Sequence, residues 1–192
     1  MLKIINKVTK VCFMAVVLTG VSQASDCDSS KLTNAFNLIA KRAEVMQLVA
    51  ADKYSDKTSI YAPAREIQVL QNVQAIANKE NLPLYPTLMF SQLQMDMSKF
   101  IEQYWLDKWL ADPKSFDHKD LDLTKLRATI SSVDKSLYPA IKDALPSLKR
   151  CSLAISSKAF KAAMNKVEGV PSNPDYVNMM LASLVAISQA QQ

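Results

Sequence analysis

The sequence predicts an all-α protein, a bundle with long first and third helices and shorter C-terminal ones. Apolar residues recur at three- and four-residue steps along most of the chain, and no segment sustains two-residue alternation with β-branched residues. Prolines and polar clusters punctuate the pattern at helix-length intervals. The first helix is predicted over residues 30–53, where Leu32, Phe36, Ile39, Ala43, Met46 and Ala50 form one stripe. After the polar stretch Ser55 to Ser59, Pro63 suits a first turn, and Ala64 to Asn78 carries Ile67, Leu70, Val73 and Ala77 at helical spacing.

Pro83 and Pro86 mark the next boundary, and the third helix is predicted over Thr87 to Leu110, with Phe90, Leu93, Met97, Ile101, Trp105 and Trp109 on one side. Asp112-Pro113 ends it, and the polar segment through Asp120, which contains His118, is predicted as loop. From Leu121 a stripe of Leu126, Ile130, Val133, Leu137, Ile141 and Leu145 marks a fourth helix, with a kink expected at Pro139. Ser152 to Val167 and Asp175 to Gln189 complete the helices, separated by the breaker-rich segment Gly169 to Pro174.

Composition narrows function before any motif is read. The chain has 192 residues, 49% apolar and 21% charged, which is an ordinary globular balance. With only Gly20 and Gly169, no glycine-rich phosphate loop can be built. One histidine and three cysteines offer no spacing for a zinc or di-iron site, so no metal is expected, and a Ser-His-Asp triad would rest on His118 alone.

The N-terminus reads as a secretory signal peptide. Lys3, Lys7 and Lys10 precede the apolar run Val11 to Leu18, which is too short to span a membrane, and Ser22 and Ala24 suit cleavage after Ala24. Residues 1–24 are thus assigned to the signal and 25–192 to a single helical domain, periplasmic or secreted. Cys27 follows Asp26 rather than a small residue, so no lipid anchor is expected. Cleavage removes three lysines and no acid, lowering the formal net charge from +5 to +2, which gives no field for nucleic acid. In an oxidising compartment Cys27 and Cys151 are predicted to pair, the alternative being two buried free thiols.

Charged groups fall beside the buried stripes. Arg42 and Lys53 are 11 residues apart, three turns of one helix face, or about 16 Å along the axis. Arg65 falls in the first turn of the second helix, beside Glu66, and Ser98 and Glu102 are neighbours on the third. Pattern alone permits either a solvated flank with aliphatic stems over the core edge or a cationic cleft for a small anion.

These residues sit in segments that resemble the exported, gamma-class, all-helical chorismate mutases. The resemblance lies in Leu38-Ile39-Ala40-Lys41-Arg42, Val45-Met46, Val49 to Tyr54 and Ile60 to Leu70, and again in Phe90 through Gln94 to Glu102 with Trp105 and Trp109. It covers roughly residues 32–110, and the combination Arg-x10-Lys-x11-Arg with Ser-x3-Glu is its specific element.

The resemblance implies a cofactor-free rearrangement of chorismate to prephenate, in a homodimer whose sites each lie within one chain. It assigns Arg42 and Arg65 to the substrate carboxylates, Lys53 and Glu102 to the ether oxygen, and Ser98 to the region of the ring hydroxyl. Lys53, Glu102 and Arg42 would be catalytic. A carboxylate would repel the ether oxygen, so Glu102 is expected to act protonated.

Two positions depart from the family pattern. Ala62 replaces an acidic residue three positions before the second-helix arginine, and the later segment Val133-Asp134-Lys135-Ser136-Leu137 has no arginine, leaving Lys135 as either the late cation or a surface lysine. The competing reading is an exported, non-catalytic binding or interaction protein on the same fold. Retention of five partly buried polar groups speaks against it.

Overall fold

The computed structural model describes residues 27–190, and the signal-peptide assignment lies outside them. Six helices account for the architecture: α1 (Ser29–Asp56), α2 (Pro63–Glu80), α3 (Leu84–Ala111), α4 (Leu123–Arg150), α5 (Leu153–Met164) and α6 (Pro174–Ala190). No strand occurs among the described residues.

Local chemistry sets the ends. Asp28 accepts from the Ser30 N–H to open α1, and Lys57, in the left-handed region at φ 52°, closes it. Pro63 opens α2, and Asn81 ends it at φ 55°. The third helix starts three residues before the predicted Thr87, because Pro86 lies in a first turn, where a missing N–H leaves no bond unmade. The Thr87 hydroxyl donates to the Pro83 carbonyl at 2.7 Å.

Asp122 caps α4 by accepting from the N–H groups of Thr124 and Lys125, which moves the start from Leu121 to Leu123. That helix runs through both Pro139 and Pro146 and equals α1 and α3 at 28 residues, so three helices are long rather than two. Ser152 is a cap rather than a helical residue of α5, which ends at Met164, short of Val167. Within the segment predicted as loop, Pro113–Ser115 forms a 3-10 turn capped by Asp112.

The first helix is the centre of the molecule, packed most extensively on α4 and then on α3 and α5, while α2 lies against α3 and α4. Its stripe of Leu32, Phe36, Ile39, Ala43, Met46 and Ala50 is entirely buried. The stripe expected on α2 is half right. Val73 and Ala77 enter the core, but Ile67 is 58% exposed, because Arg65, Glu66 and Val69 take the face of that turn toward the cleft described below and Ile67 lies off it.

Cys27 and Cys151 form a disulfide, excluding the free-thiol alternative and tying the start of α1 to the end of α4 across 124 residues. No helix among the described residues is long and apolar enough to cross a membrane.

Candidate functional site

The residues singled out from sequence converge on one cleft bounded by α1, α2, α3 and the start of α4. Arg42, Lys53, Arg65, Ser98 and Glu102 all line it. Its empty space, open water at the mouth included, is about 620 Å³. Met46, Val49, Val69, Met95 and Ile130 supply apolar walls.

Arg42 and Lys53 are only 5% and 7% exposed, so the solvated-flank alternative does not hold for either. The register of α1 turns both inward, and α3 meets them with Ser98 and Glu102, also buried. Lys53 Nζ donates to Glu102 Oε2 at 2.6 Å and to the Ile60 carbonyl at 3.2 Å. The loop between α1 and α2 thereby orients the ammonium.

Arg42 donates through Nη1 to Ser98 Oγ at 3.0 Å and through Nε to Asp134 Oδ1 at 3.1 Å. Ser98 in turn donates to the Gln94 carbonyl at 2.9 Å. Arg65, on α2, is half-buried and donates to Gln68 at 2.6 Å.

The electrostatics are those of a partly desolvated cationic site. Burial raises the Glu102 pKa, although Lys53 and Arg42 oppose the rise; Glu66 adds to it. Arg65 is held below the usual guanidinium range by burial and then by Arg127 and Arg42, with Asp134 acting the other way. At the rim, Lys99 pairs with Asp96 at 2.9 Å and with Glu66 at 3.4 Å. Burial works against its ammonium, yet these two acids leave its pKa above the ordinary value.

Of the two alternatives for Lys135, the surface lysine holds. Lys135 is exposed and borders a separate depression between α2 and α4, whereas Arg127, in the second turn of α4, lines the cleft. Arg127 sits eight residues upstream of Lys135, just over two turns away. That separation puts the two on different parts of the helix surface.

The sequence signal for Arg127 was its place beside Leu126 in the α4 stripe, with Ile130 one turn on. Glu66 also lines the cleft, as does Ala62 at the position of the expected acid. His118 is packed on Trp109 and Phe116 and does not line it. Among the described residues no group of three metal-ligating side chains is assembled.

The arrangement suits a small molecule with more than one anionic group and a reacting atom that accepts hydrogen bonds between Lys53 and Glu102. Comparison with known proteins agrees with the architecture. The model of the family described as chorismate mutase type II matches residues 34–103.

The chain is 27% identical over 139 residues to a secreted chorismate mutase of Mycolicibacterium smegmatis, covering 72% of this chain and 76% of that one. Its fold is similar to that of a secreted chorismate mutase from Yersinia pestis, at a TM-score of 0.68 and 20% identity, covering 83% of this chain and 96% of the other. A chorismate mutase from Burkholderia thailandensis aligns at a TM-score of 0.64 and 21% identity, covering 83% and 99%.

Proposed function

We propose that this chain belongs with the type II chorismate mutases it resembles and rearranges chorismate to prephenate outside the cytoplasm without a cofactor. The observation that carries the reading is the buried Lys53–Glu102 pair, 2.6 Å apart, in a cleft that also holds Arg42, Arg65 and Arg127. The reaction is intramolecular. One C–O bond breaks as one C–C bond forms, and no group leaves the substrate.

Such a reaction needs conformational restraint and charge stabilisation rather than a nucleophile. Arg42 and Arg65, joined by Arg127, bind the two carboxylates and fold the substrate into its reactive conformer. The ether oxygen gains negative charge as its bond to carbon stretches. Lys53, held by the Ile60 carbonyl, donates to that oxygen, and its stabilisation grows toward the transition state.

Glu102 is the second donor and works as the neutral acid. Its burial favours that form, and a substrate oxygen inserted between Glu102 and Lys53 weakens the ion pair that opposes it. Ser98 contacts the ring hydroxyl region while steadying Arg42.

Export is supported by the charged, apolar and small-residue order of residues 1–24 and by the secreted relative. The purified protein is expected to be a homodimer with each site inside one chain, which light scattering of the eluting peak would measure. The reaction itself is tested by incubating the purified protein with chorismate and identifying the product by chromatography. Prephenate formed above the spontaneous rate supports the reading. Chorismate returned at the spontaneous rate by the folded, disulfide-bonded protein contradicts it and favours the non-catalytic binding protein.

A further inference from the structure

Behind the cleft stands a carboxylate that the rearrangement does not use. Asp134, in the fourth turn of α4, does not line the cleft, yet its Oδ1 accepts from Arg42 Nε at 3.1 Å across 92 residues of sequence. Its side chain is 13% exposed, and it faces the depression between α2 and α4 rather than the substrate side. A buried acid beside a dianion site carries a desolvation penalty and repels the ligand, so its presence calls for a physical reason.

The guanidinium geometry supplies one. Arg42 has five N–H donors in a rigid plane, and the Nε and Nη1 donors point in different directions. With Nε tied to Asp134 and Nη1 to Ser98, the plane is held from two sides, by α4 and by α3, leaving it no free rotation about its stem. Mutual repulsion among Arg42, Arg65 and Arg127 would otherwise drive Arg42 out of register, and Asp134 offsets it, attracting Arg42 and Arg65 together.

We propose that Asp134 is a positioning residue for Arg42, fixing the guanidinium plane from behind so that it meets a substrate carboxylate in one orientation. This role rests on the chorismate mutase reading of the cleft. Asp134 touches no substrate atom and acts through Arg42.

The test compares Asp134→Ala, which removes the acceptor, with Asp134→Asn, whose amide oxygen can still accept from Nε. Turnover of chorismate is normalised to folded protein by circular dichroism. Misplacing Arg42 is expected to lower kcat/KM by about 10- to 100-fold in Asp134→Ala, with kcat falling as well as KM rising. Asp134→Asn stays within about threefold of wild type, because it keeps a hydrogen bond at Nε. A purely structural residue would lower the melting temperature and leave both constants of the folded fraction unchanged.

A second readout does not depend on activity. The Arg42 Nε–H proton, assigned in nitrogen-15 spectra by its loss in Arg42→Lys, should exchange slowly with water in wild type and Asp134→Asn and rapidly in Asp134→Ala. Unchanged kinetics in Asp134→Ala, equal damage in the two variants, or an Nε–H exchange rate indifferent to Asp134 overturns the proposal. Should wild type fail to turn over chorismate, the proposed function falls, and the Nε–H exchange alone decides whether Asp134 holds Arg42.

Discussion

At the scale of single residues, the site is a set of buried charges whose partners decide what each can do. In the proposed mechanism Lys53 is the group whose stabilisation grows most along the reaction, so Lys53→Ala should lose at least about 3 kcal/mol of transition-state stabilisation, a fall of about 100-fold or more in kcat/KM. Glu102 gives a pH signature. Its pKa is raised by burial, with Lys53 and Arg42 opposing and Glu66 assisting, and in the proposed mechanism the active form is the protonated one. Activity is therefore full below the raised value and falls as pH climbs through it.

Glu102→Gln, which keeps a donor that cannot ionise, should flatten that alkaline limb in a kcat/KM profile. A variant that retains the wild-type alkaline loss shows that another group titrates. Arg127→Ala should raise KM about tenfold, whereas the same change at Lys135, which points away from the cleft, should leave KM unaltered. Initial-rate measurements over a range of chorismate concentrations separate the two.

At the scale of elements, α1 carries the account because one helix supplies both the centre of the core and two of the cations. The three- and four-residue rhythm from Leu32 to Ala50 made α1 legible, and the spacing of Arg42 and Lys53 put them on one face. What periodicity left open was which way that face turns. Only the packing of α3 against α1, with Ser98 and Glu102 opposite the two cations, distinguishes a cleft from a solvated flank.

On α4 the sequence left Lys135 open as either a site cation or a surface lysine, and it is Arg127 that lines the cleft, since resemblance to a distant helix fixes its register less well than a continuous motif does. Ile67 failed as a core residue for a related reason: an apolar residue at helical spacing is buried only where a neighbouring helix covers it. The loop after α5 is pinned to α3, with Glu168 accepting from Lys108 at 3.1 Å and from Tyr104 at 3.0 Å. Gly169 sits there at φ 82°, where an added Cβ would lie 2.8 Å from Tyr104 Cβ. Gly169→Ala should cost about 1–3 kcal/mol in urea unfolding without changing KM, because that loop does not line the cleft.

At the scale of the whole molecule, six helices close around one core, and the disulfide joins the start of α1 to the end of α4. Replacing Cys27 and Cys151 by serine releases a 124-residue constraint on the unfolded chain. This should lower stability by about 2–5 kcal/mol, read as a shift in the urea midpoint with the slope checked for a changed denatured state. The cleft is built by α1, α2, α3 and the first turns of α4, and its substrate-facing charges lie away from that bond.

The most direct test of the account is the rate of loss of chorismate absorbance with wild-type protein and with Lys53→Ala, both shown to be folded by circular dichroism. Wild type should turn chorismate over, and the variant should fall about 100-fold or more. Equal rates in the two would contradict it, because the buried ammonium beside Glu102 would then have no part in the reaction.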